Sequence, residues 1–369
     1  MEPGGKKGIS NIIKYLMFSR TKNLSTDEFM FFFFNIGGIT DSVLTKDYLL
    51  FYDVFPSFYL DSILWLELER INGLNFKIED FIRAKNLALK EYETVSSKPL
   101  FNIDNKISQL IYGETSRYSF PCIGNKRDLI NITFQDVQQY YHKIMTPNRL
   151  SVFLTGAYSI NEGFYKTRIF LDKVKQKKYF MGGIPKKKFK EGKYLIPFNG
   201  DKYYYINVFN MGKPSTIKEY MLFKIFSEIF KLSLKGYIME NLPSFSDFSS
   251  ETIINKNGAY LKLVLYSNHK IKLIKSIFLL NKIIEKLKKK AMNNEEYKIV
   301  LYSFKSKILD AFQYKGRKMK IFADIYNIFG KIYLEKALLS MIDRISKYEI
   351  YRYSQKIFIP RGRIEIKTK

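Results

Sequence analysis

The chain repeats itself, and this limits its fold more than any other feature. ITFQDVQQYYHKIMTPNRLSVFL (132–154) and ISKYEIYRYSQKIFIPRGRIEIK (345–367) match in kind at a constant offset of 213. Thr133 pairs with Ser346, Asp136 with Glu349, Val137 with Ile350, Tyr140 with Tyr353, Ile144 with Ile357 and Pro147 with Pro360. In each copy a hydroxyl N-cap with an acid three residues on starts a helix, and proline ends it before an alternating apolar strand. The strands LSVFL and RIEIK slip by one position, which Gly362 absorbs as an extra turn residue.

The same offset carries the amphipathic pattern TIKEYMLFKIFSEIF (216–230) back onto residues 3–17, the region of the opening helix GISNIIKYLMF (8–18). The strand pattern before it, KYYYINVFN (202–210), maps to positions before Met1. Two homologous halves are therefore expected, the first short of its leading strand or strands. The expected domains are residues 1–180 and 195–369. Residues 181–194, which hold the Gly, Pro and lysine-rich GGIPKKKFKEGK (182–193), read as an exposed linker.

Within each half, strand patterns alternate with long helical ones. SFYLDSILWLELERI (57–71) and IEDFIRAKNLALKEYE (78–93) form one helix pair; IKLIKSIFLLNKIIEKLKK (271–289) and EEYKIVLYSFKSKIL (295–309) form the other. In the third of these, Ile271, Ile274, Phe278 and Leu287 read as one apolar stripe. Helix pairs on one face of a mainly antiparallel sheet make an α+β domain, here twice. At 369 residues and 46% hydrophobic, the chain can bury one large core or two ordinary ones.

Charge and cysteine content narrow the functional classes. The formal net charge of +27 would attract nucleic acid, anionic lipid or an acidic partner, but abundant Lys, Ile, Phe, Tyr and Asn also follow from AT-rich coding. No aromatic-basic motif or groove helix accompanies the charge, so no specific nucleic-acid partner is expected. One cysteine, Cys122, excludes an internal disulfide, and with only His142 and His269 beside it no Cys/His zinc cluster can be built. FMFFFF (29–34) is far short of the roughly 20 residues that span a bilayer, so no transmembrane segment is expected. No export signal is visible, and the compartment reads as cytoplasmic only as the sequence stands.

The stretch GISNIIKYLMFSRTKNLSTDEFMFFFFNIGGITDSVLTKDYLLFYDVFP (8–56) resembles the pitrilysin/insulinase family of zinc peptidases, the inverzincins, which include the processing peptidase subunits. The likeness continues through LELERI (66–71), the helix holding Glu91, RYSFPCIG (117–124) and TPNRLSVFLTGAY (146–158), and reaches the second half only as pattern. In that family a helix bearing HxxEH holds Zn²⁺ with two imidazoles, and the glutamate between them activates the metal-bound water.

Carried over by this resemblance, the three motif positions are Asn11, Lys14 and Tyr15, none of which matches. Glu91, 76 positions beyond Tyr15, fits the residual third ligand, while the family's auxiliary acid falls on Ala84. One carboxylate cannot hold zinc. Glu91 shares a helix face with Ala84, Leu87 and Ala88 and is expected to point inward and pair with Lys14. The family's substrate-binding arginine and tyrosine correspond to Met239 and to Phe245 or Phe248, which cannot donate to an oxyanion. Asp41, Ser42 and Leu44 replace the residues of the peptide-binding edge strand, and Asp47 is kept. Backbone pairing with a peptide tolerates such changes.

The resemblance implies a chain without catalytic residues or cofactor of its own, its zinc expected only in an active homologous partner that acts on peptides. The alternative is a scaffold or binding protein that reuses the fold. Whether the chain is an enzyme stays open.

Overall fold

The computed structural model describes residues 2–174, 189–197, 200–241, 247–359 and 363–368. It divides into two compact units, Met1–Gln109 with Glu114–Pro185, and Leu110–Gly113 with Lys186–Lys369.

The first unit opens on α1 (Ile9–Leu16), followed by α2 (Thr26–Asn35), the hairpin β1 (Ile39–Leu44) and β2 (Leu49–Val54), then α3 (Leu60–Asn72) and α4 (Ile78–Ser96). α5 (Phe101–Tyr112), whose last three residues belong to the second unit, α6 (Lys126–Asn131), α7 (Phe134–Ile144) and α8 (Ile160–Asp172) complete it. The second contains β3 (Gly192–Ile196), β4 (Tyr203–Gly212), α9 (Ile217–Asn241), β5 (Asp247–Asn255), β6 (Gly258–Ser267) and α10 (Lys270–Lys289). After these come α11 (Asn294–Gln313), α12 (Lys315–Phe329), α13 (Glu335–Asp343), α14 (Lys347–Ile357) and β7 (Arg363–Thr368). The fold class is α+β.

The duplication is visible in local chemistry. Thr133 caps α7 and Ser346 caps α14, each in a reciprocal capping box, with Asp136 and with Glu349. Both boxes also receive a lysine from their own unit, Lys6 from the segment before α1 and Lys218 from the first turn of α9. Lys6 Nζ lies 2.6 Å from Asp136, and Lys218 Nζ 2.7 Å from Glu349. The equivalent tyrosines follow suit, Tyr140 bonding Ser10 and Tyr353 bonding Glu219.

The sheets differ. In the second unit five strands run in the order β3-β7-β4-β6-β5, antiparallel except for the parallel β3–β7 pair, and α9, α10 and α14 pack on them. Among the described residues the first unit has only the β1–β2 hairpin. LSVFL, expected as a strand, is irregular. Its counterpart RIEIK is held between β3 and β4, whereas no described strand lies beside residues 150–154, so an alternating sequence there has no ladder to join. Of the stretch expected to be a linker, residues 181–188 lie outside the described residues, and its end is not linker but the start of β3, since Gly192–Ile196 pairs with Ile364–Thr368.

The stripe expected on α10 is also corrected. Ile271, Ile274 and Phe278 are exposed, at 72%, 56% and 73%, and the buried face is Leu273, Leu280, Ile284 and Leu287. Both rows are apolar at helical spacing, and only the packing on β4, β6 and α14 distinguishes them.

α1 is nearly enclosed on all sides. Ile9, Ile12, Ile13 and Leu16 pack with Phe81, Ala84 and Ala88 of α4 and with Leu129, Val137 and Tyr140. Its entry depends on two glycines. Gly8 (φ 98°) and Gly124 (φ 87°) meet backbone to backbone, and a Cβ on Gly124 would stand 2.5 Å from Gly8 Cα and from the Lys7 carbonyl. The Glu2 carboxylate then accepts the Gly8 and Ser10 amides, supplying the anion that this helix start lacks.

Candidate functional site

The positions singled out by the sequence converge between α1 and α4. Lys14 Nζ is 2.8 Å from Glu91 Oε2, and the Tyr15 hydroxyl donates to the same oxygen at 3.1 Å. The small side chains of Ala84 and Ala88, both buried, let α1 approach α4 this closely. Leu87, expected on the same face, is 43% exposed because it lies at the outer margin of the contact.

The electrostatics of this cluster follow from its geometry. Burial opposes ionisation of Glu91. Hydrogen bonds from Lys14 and Tyr15, the Lys14 charge and the nearby Asn11 amide outweigh it, so the carboxyl is held below the usual carboxylate range. Asn11 is fully buried, and its amide atoms make no hydrogen bond of normal geometry. Burial, with the Glu91 charge and hydrogen bond adding, pushes Tyr15 up to about 12. Neither Glu91 nor Tyr15 can therefore exchange a proton usefully near neutral pH.

The donors gathered here do not fit zinc. They are one carboxylate already neutralised by an ammonium, a protonated phenol and a buried amide, where a zinc site needs three or four imidazole, thiolate or carboxylate ligands. Among the described residues no three His, Cys, Asp or Glu side chains come together in a way that could hold a metal ion. His142 lies on α7, and His269 is the N-cap residue of α10, in the other unit.

The hairpin that carries the edge-strand positions is tethered at both ends. At its turn, Lys46 donates to the Tyr118 carbonyl and to Ser108, while the Tyr118 hydroxyl bonds Asp47 and receives Arg117. At its open end, the fully buried Arg70 reaches Thr40 Oγ1 at 3.2 Å, with Asp53 at 4.0 Å and Glu67 at 3.2 Å. The Arg70 guanidinium is enclosed by the rings of Phe18, Phe29 and Phe51, each about 5 Å away. Burial pushes the Glu67 carboxyl well up against the opposing pull of Arg70, and Asp53 adds to the rise.

Within β1 the Ser42 amide is already engaged, donating to Asp41 Oδ1 at 2.7 Å, and Tyr52 fixes that carboxylate from β2 at 3.0 Å. Leu44 closes the register opposite Leu49. In the second unit the Met239 side chain and residue Phe245 lie outside the described residues, and Phe248 is the second residue of β5, opposite Leu265.

Arg70 escaped the sequence reading. LELERI looks like a helix with a solvated charged face, yet Ile63, Leu66 and Arg70 are all buried and share one helical stripe. That spacing was the available signal.

Comparison with known proteins places this geometry in a family. The model described as "Insulinase (Peptidase family M16)" matches residues 1–117, and that described as "Peptidase M16 inactive domain" matches residues 131–301. The chain belongs to the M16, or pitrilysin/insulinase, peptidase family. It is 23% identical over 159 residues to the uncharacterized zinc protease YmxG of Bacillus subtilis, covering 43% of this chain and 38% of that protein. It is 25% identical over 162 residues to the zinc protease PqqE of Helicobacter pylori, covering 42% of this chain and 35% of that protein. The matched region thus spans little more than a third of either relative.

Among solved structures, a protease from Helicobacter pylori superposes with a TM-score of 0.83 at 17% identity, covering 100% of this chain and 90% of that one. A peptidase M16 inactive domain from Pseudomonas fluorescens does so at 0.79 and 12% identity, covering 99% and 89%. Both likenesses are of fold.

Proposed function

We propose that this chain is a non-catalytic member of the M16 family that serves as the partner subunit of a zinc-bearing homologue in peptide processing or degradation. The observation that carries the reading is the Lys14–Glu91 pair. By the family likeness the Lys14 ammonium falls on the position of the motif's water-activating glutamate, and it is bonded to Glu91, the acid that the likeness matches to a metal ligand. A cation there repels a divalent metal and consumes the residual ligand. Zinc and catalysis would then belong to the partner, and this chain would contribute its fold and its hairpin.

A second reading, a binding scaffold that reuses the fold, is favoured by the Asp41–Ser42 contact. A peptide adding to β1 must first displace that carboxylate from the Ser42 amide.

Purification of the tagged chain, with metal analysis and identification of what comes with it, tests both. An equimolar homologue bearing HxxEH supports the partner role, and a partner without a peptidase motif supports the scaffold. One zinc per chain in the isolated protein overturns both.

A further inference from the structure

The net charge is not spread evenly. Residues 186–369 hold 38 of the 62 Lys and Arg and 16 of the 35 Asp and Glu (38 − 16 = +22), leaving +5 for residues 1–185. The densest helical part of this excess is α10, KIKLIKSIFLLNKIIEKLKK, with seven lysines and one glutamate. The same helix exposes the apolar row Ile271, Ile274 and Phe278, on successive turns of its first half and on the side away from its packed face. Lys275 and Lys282 flank that row, both exposed and neither making an ion pair or hydrogen bond among the described residues. The first turn of α10 contains no acid, and its N-cap His269 makes no side-chain cap.

We infer that this face of α10 docks on the surface of an anionic lipid bilayer, with Ile271, Ile274 and Phe278 inserted at the headgroup boundary and the flanking lysines on lipid phosphates. A helix that buries one side in its own core and carries three large apolar residues among unpaired lysines on the other has the composition of an interfacial helix. The excess of cations complements a negatively charged leaflet. Nucleic acid would use the lysines but gives two aliphatic isoleucines nothing to contact. No helix among the described residues is long and apolar enough to cross a membrane, so the helix lies on the bilayer rather than through it. The inference does not depend on the chemistry at Lys14 and Glu91.

Cosedimentation of the full chain with vesicles tests it, comparing phosphatidylcholine alone with phosphatidylcholine containing about one third phosphatidylglycerol, at near-physiological salt. Binding is expected only to the anionic vesicles. Phe278→Ser and the pair Lys275→Glu/Lys282→Glu should each weaken it about tenfold or more. These side chains are exposed, so unchanged thermal melting separates lost docking from lost folding. Equal binding to neutral vesicles, no binding to either, or anionic binding that Phe278→Ser leaves unchanged overturns the inference. So does salt-sensitive binding to a DNA duplex without vesicle binding, or loss of a copurifying protein on Phe278→Ser without vesicle binding.

Discussion

Lys14 and Glu91 join the last turn of α1 to α4 across a 2.8 Å ion pair, with 11% of the lysine and 29% of the glutamate side chain exposed. A pair this far from water is tolerated only while both partners are present. Glu91→Ala should therefore cost about 2–3 kcal/mol, below the value for a fully buried pair because Glu91 keeps some solvent contact. Lys14→Met with Glu91→Leu should recover most of that loss. Urea denaturation of Lys14→Met, Glu91→Leu and the double variant measures the coupling, and simple additivity would show that the pair is not one unit.

The same cluster sets a pH dependence at both ends of the scale. Glu91 has a lowered folded pKa, so its contribution is complete above the unfolded value of about 4.3 and is lost as pH falls through the folded one. Tyr15 is raised to about 12, so its contribution is complete below the unfolded value of about 10 and is lost between there and 12. Glu91→Gln should flatten the acid limb of a stability profile, and Tyr15→Phe the alkaline limb. Profiles that keep their wild-type shape would contradict the assignment.

Glu67 titrates in the opposite sense to Glu91. Its folded pKa is raised, so folding favours the protonated form, and the advantage present at low pH is lost as pH rises above the unfolded value. Glu67→Gln keeps the shape without the charge. It should raise the melting temperature at pH 7 relative to wild type and change it little near pH 4, as scanning calorimetry at the two pH values would record.

If Asn11, Lys14 and Tyr15 occupy the motif positions, putting the motif back should create a metal site with Glu91. The triple variant Asn11→His, Lys14→Glu, Tyr15→His is expected to retain one zinc per chain after dialysis, and adding Glu91→Gln should remove it. A folded triple variant that takes up no zinc would mean that α1 does not hold those positions.

The Gly8–Gly124 contact leaves no room for a side chain. Gly124→Ala should cost about 2–4 kcal/mol, since backbone must move to admit the methyl and φ is left-handed. Gly330→Ala, also left-handed but with open space around it, should cost only about 1–2 kcal/mol. Equal losses at the two sites would assign the whole effect to conformation.

How much of this could be read in advance depended on how local each signal was. The helix starts at Thr133 and Ser346 were legible because a capping box is written within four residues. The meeting of Lys14 with Glu91 was legible through helical spacing once the family likeness fixed the register. LSVFL misled because alternation states a preference, and a strand also needs a neighbour. The Ile271 row was misread for a related reason: apolar spacing marks a face but not what covers it. Arg70 was hidden because nothing in its own helix announces three phenylalanine rings arriving from the turn after α1, from α2 and from β2.

The two touching glycines separate what this helix may lose from what it must keep. A mutation at Asn11, Lys14 or Tyr15 alters charges and hydrogen bonds that a neighbouring change can rebalance. At Gly124 the missing volume is taken by the main chain of Lys7 and Gly8, so no side-chain change elsewhere can restore it. Chemistry in this part of the molecule is therefore free to erode while the path of the chain into the helix remains fixed.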